Sequence, residues 1–220
     1  MALNDPRSTA YDREFTFMLT EFWAQSHYDD AHIQVSDWSD YHADFYLMNG
    51  RSYPDTLAPN GGGTDTNTGD LIAPAGFPEL QHQPISSLVQ CNAGERVLLR
   101  FANLGYTQPA MKLAGIQMHV IGKDATPLRG VGPGGLRNGA DTSYYTDTIY
   151  LGAGEAFDAI FTAPATAKTG QNYDTYLLYN NALGALTQPG VGGTGGLGGQ
   201  MTEVRVYAAG TLPPQTTSNA

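Results

Sequence analysis

The stretch "SSLVQCNAGERVLLRFANLG" (Ser86–Gly105) holds two strands and the turn between them. Asn92, Ala93 and Gly94 supply a compact turn. After it, Val97, Leu99 and Phe101 fall on one face of an extended chain and Arg96, Leu98 and Arg100 on the other. That period of two is the mark of a half-buried strand, and it sets the reading of the flanking sequence.

The same signal recurs along the chain. "EFTFMLTEFW" (Glu14–Trp23) and "DFYLMNG" (Asp44–Gly50) precede the deciding stretch. "MKLAGIQMHVIG" (Met111–Gly122) reads as two strands broken at Gly115, Met111–Ala114 and Ile116–Ile121. "TDTIYLGAGEAFDAIFTAP" gives two more around Gly152-Ala153-Gly154, and "YDTYLLYNN" and "MTEVRVYAA" complete the set. About nine strands result, and no segment keeps a 3.6-residue period. Only "FWAQSHYDDAHIQV" hints at a helical turn. Short strands between Gly, Pro and Asn turns predict an all-β sandwich or barrel.

The 220 residues suit one large β domain, and their size allows an ordinary buried core. Three segments read as loops: Pro59–Pro84, the glycine-rich Gly130–Asp141, and Gln188–Gly199. None has the strand-then-helix setting of a phosphate cradle, so nucleotide binding is not expected. Residues 1–10 read as an extension or linker, 11–207 as the domain, and 208–220 as a linker or frayed tail.

Charge narrows the partners. Twenty-one acidic residues against 11 basic ones give a net charge of −10. Such a chain repels a nucleic-acid backbone and an anionic membrane surface, so neither is an expected partner. No apolar run approaches the ~20 residues that span a bilayer. The opening "MALNDPRSTAYDREF" has no basic segment followed by an apolar one. The chain is then either cytoplasmic or a mature or excised piece whose export signal lies elsewhere. The one cysteine, Cys91, excludes an internal disulfide and reads as a small buried side chain.

Of the five histidines, "HYDDAH" brings His27 and His32 together with Asp29 and Asp30. Hard or borderline cations take such groups, but the spacing matches no compact ligand template, and a solvated turn is the simpler reading. His42 and His82 stand in polar stretches. His119 sits in an apolar strand, where a lone imidazole is usually hydrogen-bonded and structural. No serine, Ser86, Ser87 and Ser143 included, lies in a glycine-flanked nucleophile elbow. No catalytic residue is expected.

Four blocks, "FYLMNGRSYPDTL", "LVQCNAGERVLLRFANLG", "LAGIQMHVIGKDATPL" and "TDTIYLGAGEAFDAIFTAP", occur in this order. Together they resemble a cupredoxin domain of a multicopper oxidase, over roughly Tyr11 to Tyr207. The resemblance implies a Greek-key β-sandwich. It also implies a run of alternating histidines around the position of Gly115 and a His-Cys-His motif near "LLYNN" (Leu177–Asn181) in copper-bearing members. Here Pro109, Lys112, Ala114 and Ile116 stand where imidazoles would be, and no cysteine lies near Leu177–Asn181.

The resemblance therefore implies a middle, copper-free domain that separates and orients copper-bearing ones and helps shape a substrate pocket. It would have no metal ligands and no cofactor of its own, with copper in the parent oxidase. Its expected partners are other cupredoxin domains of the same protein, and its expected location is extracellular or periplasmic. Phenol oxidation and metal-ion oxidation by the parent both stay open. Two other readings remain: a stand-alone extracellular sandwich that binds a ligand or itself through its loops, and a metal-dependent enzyme using His27, Asp29, Asp30 and His32.

Overall fold

A computed structural model describes residues 9–188 and 196–219. In chain order the elements are β1 (Arg13–Phe22), α1 (Ala24–Ala31), β2 (Phe45–Met48), β3 (Val89–Asn92), β4 (Arg96–Asn103), β5 (Ala110–Leu113), β6 (Met118–Lys123), β7 (Thr126–Pro127), β8 (Tyr144–Thr146), β9 (Thr148–Tyr150), β10 (Ala156–Thr162), β11 (Tyr173–Asn180), β12 (Thr187–Gln188), β13 (Gly196–Leu197) and β14 (Met201–Tyr207). The strands that the sequence does not signal, β7, β8, β12 and β13, are only two or three residues long. The expected loop at Gln188–Gly199 lies partly outside the described residues.

Two sheets face each other, as expected of an all-β sandwich. One runs β2-β1-β4-β10-β6-β7, with β8 also on β6; the other runs β3-β14-β11-β5-β9. Each contains one parallel pair, β1 with β4 and β3 with β14. A hairpin cannot join parallel neighbours, so the chain crosses over the sandwich between them. The inward faces interdigitate: Phe15, Phe17, Leu99 and Phe101 from the first sheet meet Cys91, Leu113, Leu178 and Val204 from the second. Phe17 and Phe101 stack at 5.3 Å between centroids.

The strands on either side of Gly115 do not pair with each other. β5 belongs to the second sheet and β6 to the first. Gly115, at φ +81°, carries the chain across, in a conformation that costs glycine little. "MKLAGIQMHVIG" is thus a sheet-to-sheet crossover and not a hairpin.

Two turns share one device. In Asn92–Glu95 and in Gly152–Glu155 the glutamate side chain accepts a hydrogen bond, at 2.7 Å, from the backbone N–H of the turn's first residue. The third residue is a glycine at φ +85° in one and +78° in the other. Each carboxylate also holds a cation, Arg13 on Glu95 and Lys123 on Glu155. Burial works against the charged form of Glu95, but hydrogen bonds from Arg13 and Asn92 hold its carboxyl below its ordinary range. The bond from Lys123 does the same for Glu155.

A carboxylate depressed in the folded state stabilises above its unfolded pKa and loses that contribution as pH falls through the folded value. The chain is therefore expected to weaken progressively below about pH 4.3. A Glu95→Gln variant should show a flatter loss. Urea midpoints measured from pH 7 to pH 3 check this, and identical slopes in the two proteins refute it.

Residues 212–219 are hydrogen-bonded to the domain. Leu212 and Asn92 exchange two hydrogen bonds, and Pro213 accepts one from Arg13. Gln215 and Asn219 then lie along β1.

Candidate metal centre

The segment where the resemblance expects imidazoles begins at Pro109, which is buried and whose carbonyl accepts from Leu151 N–H at 3.0 Å. β5 follows, between β9 and β11. Lys112 sits opposite Thr148 on one side and Tyr179 on the other. Ala114 closes the strand by donating its N–H to Leu177 at 2.9 Å. Ile116 turns into the core. Thus the two expected ligand segments, around Gly115 and at Leu177–Asn181, do lie on adjacent strands.

Their donor chemistry does not suit copper. Pro109, Ala114 and Ile116 carry no side-chain donor atom. Lys112 Nζ donates to Asp147 Oδ2 at 2.8 Å, and that hydrogen bond raises its pKa above the ordinary lysine value. It stands as a fixed ammonium, which repels a metal cation instead of binding it. On the neighbouring strand Leu178 is buried in the core. Asn180 is buried too, with its amide engaged: Oδ1 accepts from Ala110 and Ala182, and Nδ2 donates to Gln200.

The thiol is elsewhere. Cys91 on β3 lies opposite Val206, which lies opposite Asp174. Lys112 pairs with Tyr179, at the other end of β11. Five residues of strand, about 17 Å, plus the width of β14 separate the two positions. Burial pushes the Cys91 thiol up to about 12, so it stays protonated. A blue copper centre needs a thiolate and two imidazoles converging.

The other candidates are also dispersed. His27, Asp29 and Asp30 lie on α1, and His32 caps its C-terminus. His27 and His32 are five residues apart, about 140° around the helix. His27 stacks on Phe22 at 4.3 Å and His32 on Tyr28 at 4.1 Å. Asp29 accepts from Gln25. Among the described residues no group of three or more His, Cys, Asp and Glu is placed to hold a metal ion. His42 meets the carbonyl of Asp40, and His82 is exposed.

His119 is buried, stacked on Tyr145 at 4.5 Å, with Nε2 2.7 Å from Ser143 Oγ. Ser143 Oγ in turn donates to Asp141 at 2.6 Å. The serine is the middle of this chain and gives its proton to the carboxylate, the reverse of an activated nucleophile. Burial lowers the His119 pKa, which favours the neutral ring.

The sequence reading passed over an aromatic group at one end of the sandwich. Glu21 accepts hydrogen bonds from Tyr41 Oη, from the Thr107 hydroxyl and from Thr107 N–H, the last at 2.8 Å. Around it gather Trp23, Trp38, Tyr41 and Tyr106. Gly105 permits the approach, because a Cβ there would lie 2.6 Å from a Glu21 carboxylate oxygen.

Residues 13–190 match the family model described as multicopper oxidase. The chain belongs to the multicopper oxidase family. Solved structures agree on the fold. The blue copper oxidase from Nitrosomonas europaea is 18% identical with a TM-score of 0.59, over 91% of this chain and 46% of that one. The multicopper oxidase mgLAC is 20% identical with a TM-score of 0.60, over 98% and 49%. The McoA multicopper oxidase from the hyperthermophile Aquifex aeolicus is 16% identical with a TM-score of 0.51, over 93% and 31%. The chain thus spans about half the length of the first two and about a third of the third. No curated protein matches it.

Proposed function

We propose that this multicopper oxidase domain is a copper-free spacer. It would hold copper-bearing cupredoxin domains of the same protein in position and contribute to the wall of the parent's substrate pocket. The single observation that carries the reading is the content of the expected ligand frame: Pro109, Ala114 and Ile116 without donors, and Lys112 tied as an ammonium to Asp147. The domain supplies orientation, and the parent's copper supplies the redox chemistry elsewhere. An extracellular or periplasmic location goes with this reading. In the described residues no helix is long and apolar enough to cross a membrane.

The test is metal content. The purified 220-residue chain, incubated with cupric or cuprous salt and passed through a desalting column, should retain far less than one copper per chain. It should show no intense visible band. Copper retained at one per chain, with a blue thiolate-to-copper absorption, overturns the proposal.

A further inference from the structure

The aromatic group around Glu21 opens to solvent. Trp38 is 54% exposed and Tyr106 69%, with Leu104 beside Tyr106 in sequence at 61%. Trp23 lies beneath them at 5%, edge-on to Trp38 at 5.4 Å and to Tyr41 at 5.5 Å. Its indole N–H is buried and has no hydrogen-bond acceptor among the described residues. Leading into this group from α1, Ile33 and Val35 are 94% and 97% exposed. Apolar side chains gathered and presented this way mark an interaction surface. Trp and Tyr are also the residues that most often anchor protein interfaces.

Charge says what covers it. Between Arg13 and Arg51 the chain has no lysine or arginine, while Glu21, Asp29, Asp30, Asp37, Asp40 and Asp44 are all acidic. Exposed ring faces attract cations through their quadrupole. Carboxylates beside them add to that attraction, and no cation of this segment competes. We propose that Trp38, Tyr41 and Tyr106, with Asp37 and Asp40, form a docking platform for a protein segment that alternates arginine with apolar side chains. A second copy of this chain is a poor occupant. It carries net charge −10, and five of its 11 basic residues, Arg13, Arg100, Lys112, Lys123 and Arg205, are held in ion pairs of their own. A saccharide would use the rings and donate hydroxyls to the carboxylates, but as a neutral ligand its binding would hardly respond to salt, which tells it from a cationic segment. The inference stands apart from the copper question.

Both tryptophans of the chain, Trp23 and Trp38, lie in the platform, so tryptophan emission, excited beyond the tyrosine absorption band, reports on it alone. The full chain is titrated with a short peptide of alternating Arg and Leu, and with a Glu-Leu peptide of equal length. The Arg-Leu peptide should change the emission saturably and the Glu-Leu peptide should not. Binding should weaken as salt shortens the Debye length from about 10 Å to about 3 Å. Tyr106→Ala and the pair Asp37→Asn with Asp40→Asn should each weaken it about fivefold or more, at unchanged urea midpoint. Equal response to both peptides, binding untouched in both variants, or saturable binding of cellohexaose without salt dependence overturns the proposal.

Discussion

Replacing Arg51 by methionine will destabilise the fold by about 3–5 kcal/mol, the scale of leaving buried partners of a charged group unmatched. Arg51 follows the β2 strand and is 1% exposed. Its guanidinium has no carboxylate partner among the described residues. It donates instead to four backbone carbonyls: Ala58 at 2.6 Å, Gln83 at 2.7 Å, Pro59 at 3.1 Å and Asp55 at 3.4 Å. Burial lowers its pKa, with the charge of Asp55 acting against that.

The arrangement explains how the loop Pro59–Pro84 is held. One cation ties its first residue, Pro59, and the residue before its last, Gln83, to the turn that leaves β2. Methionine fills much of the space but donates nothing, so the carbonyls must find water or stay unpaired. Lysine keeps the charge but not the planar fork, and should lose roughly half as much. Urea unfolding reads the effect as a lower midpoint at constant slope. Limited proteolysis should cut first within 59–84 in the variant. A loss under about 1 kcal/mol would mean that the loop holds itself, and that the guanidinium follows it.

What the sequence revealed and what it hid have physical reasons. Alternation in "ERVLLRFAN" announces β4, because one face of the strand meets the opposite sheet. The β7 and β8 strands carry no comparable signal; each exists because β6 offers an edge, a tertiary circumstance. Gly115 marks a break in any reading, but only the packed sheets decide that the chain changes layer there. That Pro109, Ala114 and Ile116 carry no side-chain donor is plain from residue type alone. The lock on Lys112 is not, since Asp147 lies 35 residues away.

Nothing in the sequence singles out Arg51, because its carbonyl partners at Asp55, Ala58, Pro59 and Gln83 are brought to it only by the fold. Trp23 looked like the end of a core strand, and Trp38 belonged to no expected element. The cation-free acidic stretch between Arg13 and Arg51, with Trp38 and Tyr41 three residues apart, was the available sign of the platform.

Deleting residues 211–220 will turn the chain into a self-associating one and lower its stability by about 2–4 kcal/mol, from several bonds at roughly 0.5–1.5 kcal/mol each. β1 pairs with β4 along Arg13–Leu19 on one flank, but on the other β2 reaches only Leu19–Phe22. Glu14, Thr16 and Met18 would therefore offer an open edge to any passing strand. Side-chain amides occupy it instead. Gln215 accepts from Glu14 N–H at 2.6 Å and donates to its carbonyl at 3.0 Å. Asn219 does the same for Thr16, at 2.9 Å both ways, and reaches Ser86. Asn49 accepts from Met18 N–H at 2.9 Å.

Three carboxamides thus stand in for a strand, and two of them arrive with the tail. Asn49 remains after truncation and still donates to the Thr16 carbonyl at 2.9 Å, so the freed groups are the Glu14 N–H and carbonyl and the Thr16 N–H, the start of an edge on which another β1 can pair. Sedimentation velocity should show a concentration-dependent dimer or larger species for the truncated chain and not for the intact one. Asn219→Ala alone should cost about 1–2 kcal/mol, since the Thr16 N–H loses its acceptor. A truncated chain that stays monomeric, with its urea midpoint unmoved, would show that water satisfies this edge as well as the amides do.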